Sequence, residues 1–137
     1  MKIEYKINAP VSTDQFIDLL LASSLGERRP INDRHCMAGM IHNSNLIVSA
    51  WEHSQLVGIA RSVTDFHYAC YLSDLAVRKS CQQQGIGKEM QRLTKKELGE
   101  HCKLILVSAP TANDYYKQLG YSKSPRCWVL NSDQSLK

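Results

Sequence analysis

This sequence has no stretch long and apolar enough to cross a membrane; its longest candidate, Phe16 to Leu25, is short and carries Asp18. Met1-Lys2-Ile3-Glu4-Tyr5 has no apolar signal core, so the expectation is a cytoplasmic chain without a membrane partner. The basic residues form no block, and a net charge of +4 is too diffuse for nucleic acid, although it suits an anionic ligand. There is no Cys-x-x-Cys and no His-Glu-x-x-His, and the five histidines show no metal spacing, so no metal is expected. The five cysteines (Cys36, Cys70, Cys81, Cys102, Cys127) are scattered and odd in number, which reads as reduced, mostly buried thiols rather than a disulfide framework. Cys81 is the exception, in a loop ahead of a helix, where a thiol could be activated. No histidine can be located to support a nucleophilic role for it. Internal repeats, linkers and low-complexity segments are also missing.

What remains is one domain's worth of chain, residues 1–137, with 43% hydrophobic and 22% charged residues. Lys2 to Ile7 alternates like a short strand. Ser12-x-x-Gln15 is a capping box, followed by Phe16, Leu19, Leu20 and Ser23 at helical spacing, with Gly26 as the expected stop. A weaker helix is expected over Ile31 to Ile41. Strands follow at Leu46 to Trp51, Leu56 to Val63 (Gly58 as a bulge) and Tyr68 to Val77, joined by turns at Glu52–Gln55 and Thr64–His67. A helix over Ile86 to Leu98 precedes the continuous apolar run Leu104 to Val107, expected to be buried on both faces. Pro110 opens a short helix, Thr111 to Leu119, and Arg126 to Leu130 reads as a last strand. The order βααβββ-loop-αβαβ gives an α+β fold around a mixed sheet.

The chemistry concentrates between the strand ending Leu75-Ala76-Val77 and the helix opened by Ile86. The intervening run Gln82-Gln83-Gln84-Gly85-Ile86-Gly87-Lys88 is a glycine loop feeding a helix, where unpaired first-turn amides and the positive end of the helix dipole can cradle a phosphate. It is not a Walker A loop: Gly87-Lys88 is followed by Glu89, and Gln82 stands where the first glycine should be. Nor is it a dinucleotide fingerprint, since the third glycine position holds Met90. The pattern that fits is Gln/Arg-x-x-Gly-x-Gly/Ala, filled by Gln82, Gly85 and Gly87.

This loop resembles the acetyl-coenzyme A loop of the GNAT superfamily of N-acetyltransferases. The resemblance extends over Leu46 to Leu130. Leu56-Val57-Gly58-Ile59-Ala60-Arg61 is similar to the family's Val-Gly hairpin strand. Tyr115-Tyr116-Lys117-Gln118-Leu119-Gly120-Tyr121 is similar to its aromatic-Tyr-x-x-x-Gly-aromatic segment, with Ala112 three residues ahead. The run from Arg61 through Asp65 to Asp74 also looks like small bacterial and chloroplast members, some of which acetylate arylalkylamines. The resemblance implies a mostly antiparallel central sheet flanked by helices and splayed at the cofactor site, with acetyl-CoA as acetyl donor and a small primary amine as acceptor. Family members often dimerise, so a homodimer is the oligomer to look for.

The resemblance further implies that the strand at Leu75, Ala76 and Val77 splays from Lys103–Val107 and lends the thioester a main-chain donor. Amides from Gln83 to Lys88 would hold the diphosphate. A phenol suits protonation of the departing thiolate, which points to Tyr116, with adjacent Tyr115 as competitor. Asp74, an acid inside a strand, is the candidate base, and Asp65 and Glu52 could instead attract a cationic acceptor. One departure stands out: Ala109 occupies the slot where many members carry a cofactor-contacting asparagine. A chain that keeps the loop without turnover, as a sensor or interaction module, is the alternative.

Overall fold

The computed structural model describes residues 2–137. It forms two compact units, Met1–Val107 and Ser108–Lys137. In the first, β1 (Glu4–Ile7), β2 (Leu46–Glu52), β3 (Gln55–Thr64), β4 (Ala69–Val77) and β5 (Lys103–Ile105) make a five-stranded sheet in the order β1-β2-β3-β4-β5. The first four strands run antiparallel, and β5 lies parallel to β4. This is the mixed α+β sheet that the sequence pattern implies.

Helix α1 (Thr13–Ala22) starts on both bonds of the expected capping box: the Gln15 amide donates to Ser12 Oγ at 3.0 Å, and the Ser12 amide to Gln15 Oε1 at 2.9 Å. It ends four residues before Gly26. Ser23 closes it, donating its amide to the Leu20 carbonyl at 3.2 Å. Gly26 sits in a 3₁₀ turn (Ser24–Arg28), where an added Cβ would lie 2.7 Å from the Leu20 carbonyl oxygen, so its role is close approach rather than helix termination. Helix α2 runs Arg34–His42, later than expected, because the Asp33 carboxylate caps the Cys36 amide at 3.0 Å.

Helices α1 and α2 cover one face of the sheet, where Phe16, Leu19, Leu20, Met37 and Ile41 pack against Ile47, Trp51, Leu56 and Ile59. Helix α3 (Ile86–Lys96) covers the other, packing Ile86 and Met90 on Val48, Ala50, Val57 and Ala60. With both sides covered, β2 is buried along nearly its whole length. Gly58 marks the closest approach of α3, since a Cβ there would meet Met90 Cε at 2.9 Å. The β2–β3 bulge lies beside it: Ala50 pairs with Gly58 and Trp51 with Leu56, leaving Val57 as the extra residue.

β5 departs from its expected pattern. Leu104 and Leu106 pack with the α3 cluster, but Ile105 is 41% and Val107 58% exposed. One face of this edge strand is covered, so the run alternates instead of burying both sides.

In the second unit, a 3₁₀ turn (Pro110–Ala112) leads into α4 (Asn113–Gln118). The expected strand Arg126 to Leu130 carries no strand structure and is exposed. A strand is defined by its ladder, and among the described residues this segment has no partner.

Candidate active site

Three features of the first unit meet at the C-terminal end of β4. The first is an open strand edge. β5 pairs with β4 from Ala69↔Lys103 only as far as Tyr71↔Ile105, whereas β4 continues to Val77 on its β3 partner. Leu75, Ala76 and Val77 therefore belong to a stretch whose second edge has no strand beside it among the described residues. Main-chain groups on such an edge need a partner.

The second feature is the loop. After Val77 the chain makes a 3₁₀ turn (Lys79–Cys81), then passes through left-handed conformations at Gln83 (φ 63°) and Gly85 (φ 81°). Gln82 ties the loop back to the strand, its Nε2 donating to the Val77 carbonyl at 3.0 Å. Gly85 is the N-cap of α3 and offers no side-chain cap. The first helical bond runs from the Glu89 amide to the Gly85 carbonyl at 3.0 Å, so the amides of Ile86, Gly87 and Lys88 lie ahead of any intrahelical acceptor. Gln83, Gln84 and Lys88 are exposed. Glu89 would oppose an anion in this first turn, but Arg92 grips both its oxygens at 2.7 Å and holds its carboxyl below the usual range. The first-turn amides can hold an anion, and the open edge can pair with an extended ligand. Cys81, singled out as a loop thiol, is buried beside Ile86 and Met90 in the α3 cluster. Cys127, which the expected last strand would have buried, is exposed.

The third feature is an ionic knot under β4. Asp74 is fully buried. Its Oδ1 accepts from Arg29 Nε at 2.6 Å and its Oδ2 from Arg61 Nε at 2.5 Å. Arg61 also donates to Ser44 Oγ (2.9 Å), the Met40 carbonyl (3.3 Å) and Ser73 Oγ (3.0 Å), while Arg29 donates to the Ser73 carbonyl at 2.7 Å. Asp74, read from the sequence as a base, thus has both oxygens engaged by guanidinium groups. Arg29 escapes a motif reading, and Arg61 falls inside the resemblance without a role of its own. The available signal is charge inside two consecutive apolar strands, since Arg61 and Asp74 are direct cross-strand partners. Of the other acids, Glu52 ends β2, and Asp65 Oδ1 accepts the amides of His67, Tyr68 and Ala69, turning the β3–β4 hairpin.

In the second unit, the Tyr-x-x-x-Gly-Tyr segment is a Schellman helix end. The Tyr121 amide donates to the Tyr116 carbonyl at 3.2 Å and the Gly120 amide to that of Lys117 at 3.1 Å, with Gly120 at φ 98°. The hydrophobic contact that accompanies this motif is Tyr121 on Tyr116, edge to face at 5.5 Å. Tyr115 lies edge-on to Tyr116 at 5.0 Å and is exposed, whereas Tyr116 is half-buried. Burial first, and the neighbouring Tyr115 second, push the Tyr116 phenol above its ordinary 10.0, so it carries its proton at neutral pH. Ala109 takes the N-cap position of the 3₁₀ turn, with no side-chain capping bond.

Residues 25–127 match the acetyltransferase (GNAT) domain family. The chain belongs to that family. It is 28% identical over 135 residues to the N-acetyltransferase ycf52 of Pyropia yezoensis, covering 90% of this chain and 75% of that one. A ycf52-like N-acetyltransferase of Prochlorococcus marinus is 28% identical over 126 residues, covering 84% and 68%. The fold matches a GNAT-family acetyltransferase of Streptococcus pneumoniae with a TM-score of 0.75 at 20% identity, over 94% of this chain and 98% of that one. It also matches the aminoglycoside N-acetyltransferase AAC(6')-Iy, solved with CoA, with a TM-score of 0.68 at 13% identity over 96% and 95%. As a GNAT N-acetyltransferase the chain is an acyltransferase. Among the described residues no helix is long and apolar enough to span a membrane.

Proposed function

We propose that this GNAT acetyltransferase moves an acetyl group from acetyl-CoA to a small primary amine by direct attack. The observation that carries the reading is the uncapped start of α3 beside the open edge of β4. Acetyl-CoA supplies a thioester whose carbonyl is open to an amine. The amides of Ile86, Gly87 and Lys88 bind its diphosphate, with Gln82 holding the loop to Val77. An amide of Leu75, Ala76 or Val77 on the open edge donates to the carbonyl oxygen as charge builds there. Tyr116 is assigned the proton for the departing sulfur because a phenol is a donor at neutral pH and Tyr116 fills the tyrosine of the family's aromatic-Tyr-x-x-x-Gly-aromatic segment. Asp74 is given no base role, because neither of its oxygens is open to an amine; the attacking nitrogen releases its proton to solvent water, which also reprotonates Tyr116.

A small amine acceptor is supported by the fold's likeness to aminoglycoside acetyltransferases, one of them solved with sisomicin. The likeness to a ribosomal-protein-alanine N-acetyltransferase of Brucella melitensis makes a peptide N-terminus the necessary comparison in the same assay. Ala109, with no cap to offer, favours a second reading: a non-catalytic acetyl-CoA-binding module. Incubating the chain with acetyl-CoA, a panel of small amines and N-terminal peptides decides among these. Product is read by mass, because the protein's own free cysteines react with thiol reagents. Acetylated small amine is the expected outcome; acetyl-CoA binding without product supports the second reading.

Tyr116→Phe keeps the ring and its Tyr121 contact but loses the donor. We expect kcat to fall about a hundredfold with acetyl-CoA affinity unchanged, the low end for general acid catalysis because a thiolate leaves readily. Tyr115→Phe should do much less, and a parent-like Tyr116→Phe with chemistry rate-limiting would remove the assignment.

A further inference from the structure

β4 does not run straight into the loop. Arg61 pairs with Asp74 but Ser62 pairs with Leu72, so Ser73 is an extra residue with no partner on β3. A bulge at this point has a definite consequence. Main-chain groups along a strand alternate between its two edges, so one inserted residue changes which groups beyond it face the neighbour and which face away. Everything from Asp74 to Val77, the segment with the open edge, inherits that choice. Side chains follow: Ser73 and Asp74 both reach the arginines of the α1/α2 face, and Ala76 then packs on that face while Leu75 and Val77 pack with α3.

The ionic knot is built on this bulge. Arg29 donates to the Ser73 carbonyl and to Asp74 Oδ1; Arg61 donates to the Ser73 hydroxyl and to Asp74 Oδ2. The carbonyl and hydroxyl of the inserted residue and both carboxylate oxygens of the next one are held by two guanidinium forks. The Asp74 side chain is 0% exposed, Arg61 7% and Arg29 22%. Burying such a cluster costs desolvation that packed apolar residues would not incur, so stability alone is a weak reason to keep it. Conformational definition is the stronger one.

We propose that Arg29 and Arg61, locked by Asp74, are positioning residues for acyl transfer: they fix the bulge at Ser73 and thereby select which amides of Leu75 to Val77 face the open edge. The role in catalysis rests on the function proposed above; the role in setting the strand does not. Arg29 comes from the α1–α2 connection, directly after the Ser24–Arg28 turn, so that connection is fastened to β4 at the same point.

The test uses the full chain and two readouts. Arg29→Gln removes the more exposed fork. Amide hydrogen exchange should show loss of protection confined to Ser73–Val77, with β2 and α3 unchanged. On the best amine, kcat should fall about a hundredfold while KM for acetyl-CoA holds, as expected when a donor is misplaced and the cofactor cradle stays intact. Arg29→Lys keeps the charge but cannot hold Asp74 and Ser73 together as a fork, so it should stay nearer Arg29→Gln than the parent in both readouts. It also serves as the test variant if Arg29→Gln does not fold. Parent-like exchange over Ser73–Val77 in the folded variant overturns the proposal, as does a parent-like kcat. If the parent acetylates nothing, the function proposed above fails, and the exchange map still decides whether Arg29 sets the strand.

Discussion

The two faces of this sheet handle charge in opposite ways. On the α3 face the cluster of Val48, Ala50, Val57, Ala60, Ile86 and Met90 carries no charge, and the electrostatics come from main-chain amides at the uncapped helix start. On the α1/α2 face the apolar packing surrounds Asp74, Arg29 and Arg61, and side chains supply the charge. The first arrangement is local. A loop that turns through Gln83 and Gly85 creates it wherever a helix follows. The second needs three residues from three separate segments to arrive at one point. A backbone site tolerates loss of side chains and fails by added bulk; a side-chain knot fails when one member is removed.

That contrast can be broken most sharply at Gly87. Gly87→Glu adds bulk and negative charge to the amide cradle, and calorimetry should find acetyl-CoA binding abolished in a chain whose circular dichroism is unchanged. Retained affinity would mean the amides are not the anion site. Next in size is Asp74→Ala, which strands the buried Arg61 and the half-buried Arg29. Urea unfolding should show a loss of about 3–5 kcal/mol, the usual result of removing one partner of a buried ion pair. A loss below about 1 kcal/mol, the level of exposed pairs, would mean the two faces do not differ as described.

A smaller effect is expected on the α3 face. Gly58→Val drives methyl groups into Met90 and Ile86, where a single Cβ would already stand 2.9 Å from Met90 Cε, and overpacking of this kind costs about 1–3 kcal/mol. Combining it with Met90→Ala should return part of that loss, because the two sites share one contact; strict additivity in unfolding titrations would argue against the contact. The smallest effect concerns Asp65, a fully exposed carboxylate. The amides of Tyr68, Ala69 and His67 hold it below the ordinary 3.8. A carboxyl depressed in the folded chain adds stability above its unfolded value, and that stability fades as pH falls through the folded value. Asp65→Asn should therefore lower Tm slightly at neutral pH and flatten the acid limb, so that the two curves converge below about pH 4. Parallel curves for parent and variant across that range would rule this out.

How much is legible in the sequence follows the same division. The capping box of α1, the Gly85 entry to α3 and the Gly120 exit from α4 are readable, because each is set by residues within a few positions of one another. Arg126 to Leu130 reads as a strand and is not one, because a strand exists only through a partner that its own residues do not name. Gly26 looks like a helix stop but instead admits Leu20 closely; Gly58 looks like a bulge and stands beside one, at Val57, while also admitting Met90. Asp74 stands out for its position inside a strand, but its partners lie 45 residues back at Arg29 and 13 back at Arg61.

The sequence by itself determined the element order as far as α4, the family and the glycine loop that opens α3, since hydrophobic period, caps and glycine placement act over a few residues. Only the tertiary structure decided that β5 leaves β4 after Tyr71, that Ser73 is an inserted residue, and that Asp74 lies locked between two arginines. Those outcomes depend on register between strands and on meetings of distant side chains. No local pattern encodes them, because each partner's preference is met equally well in other arrangements until the sheet forms.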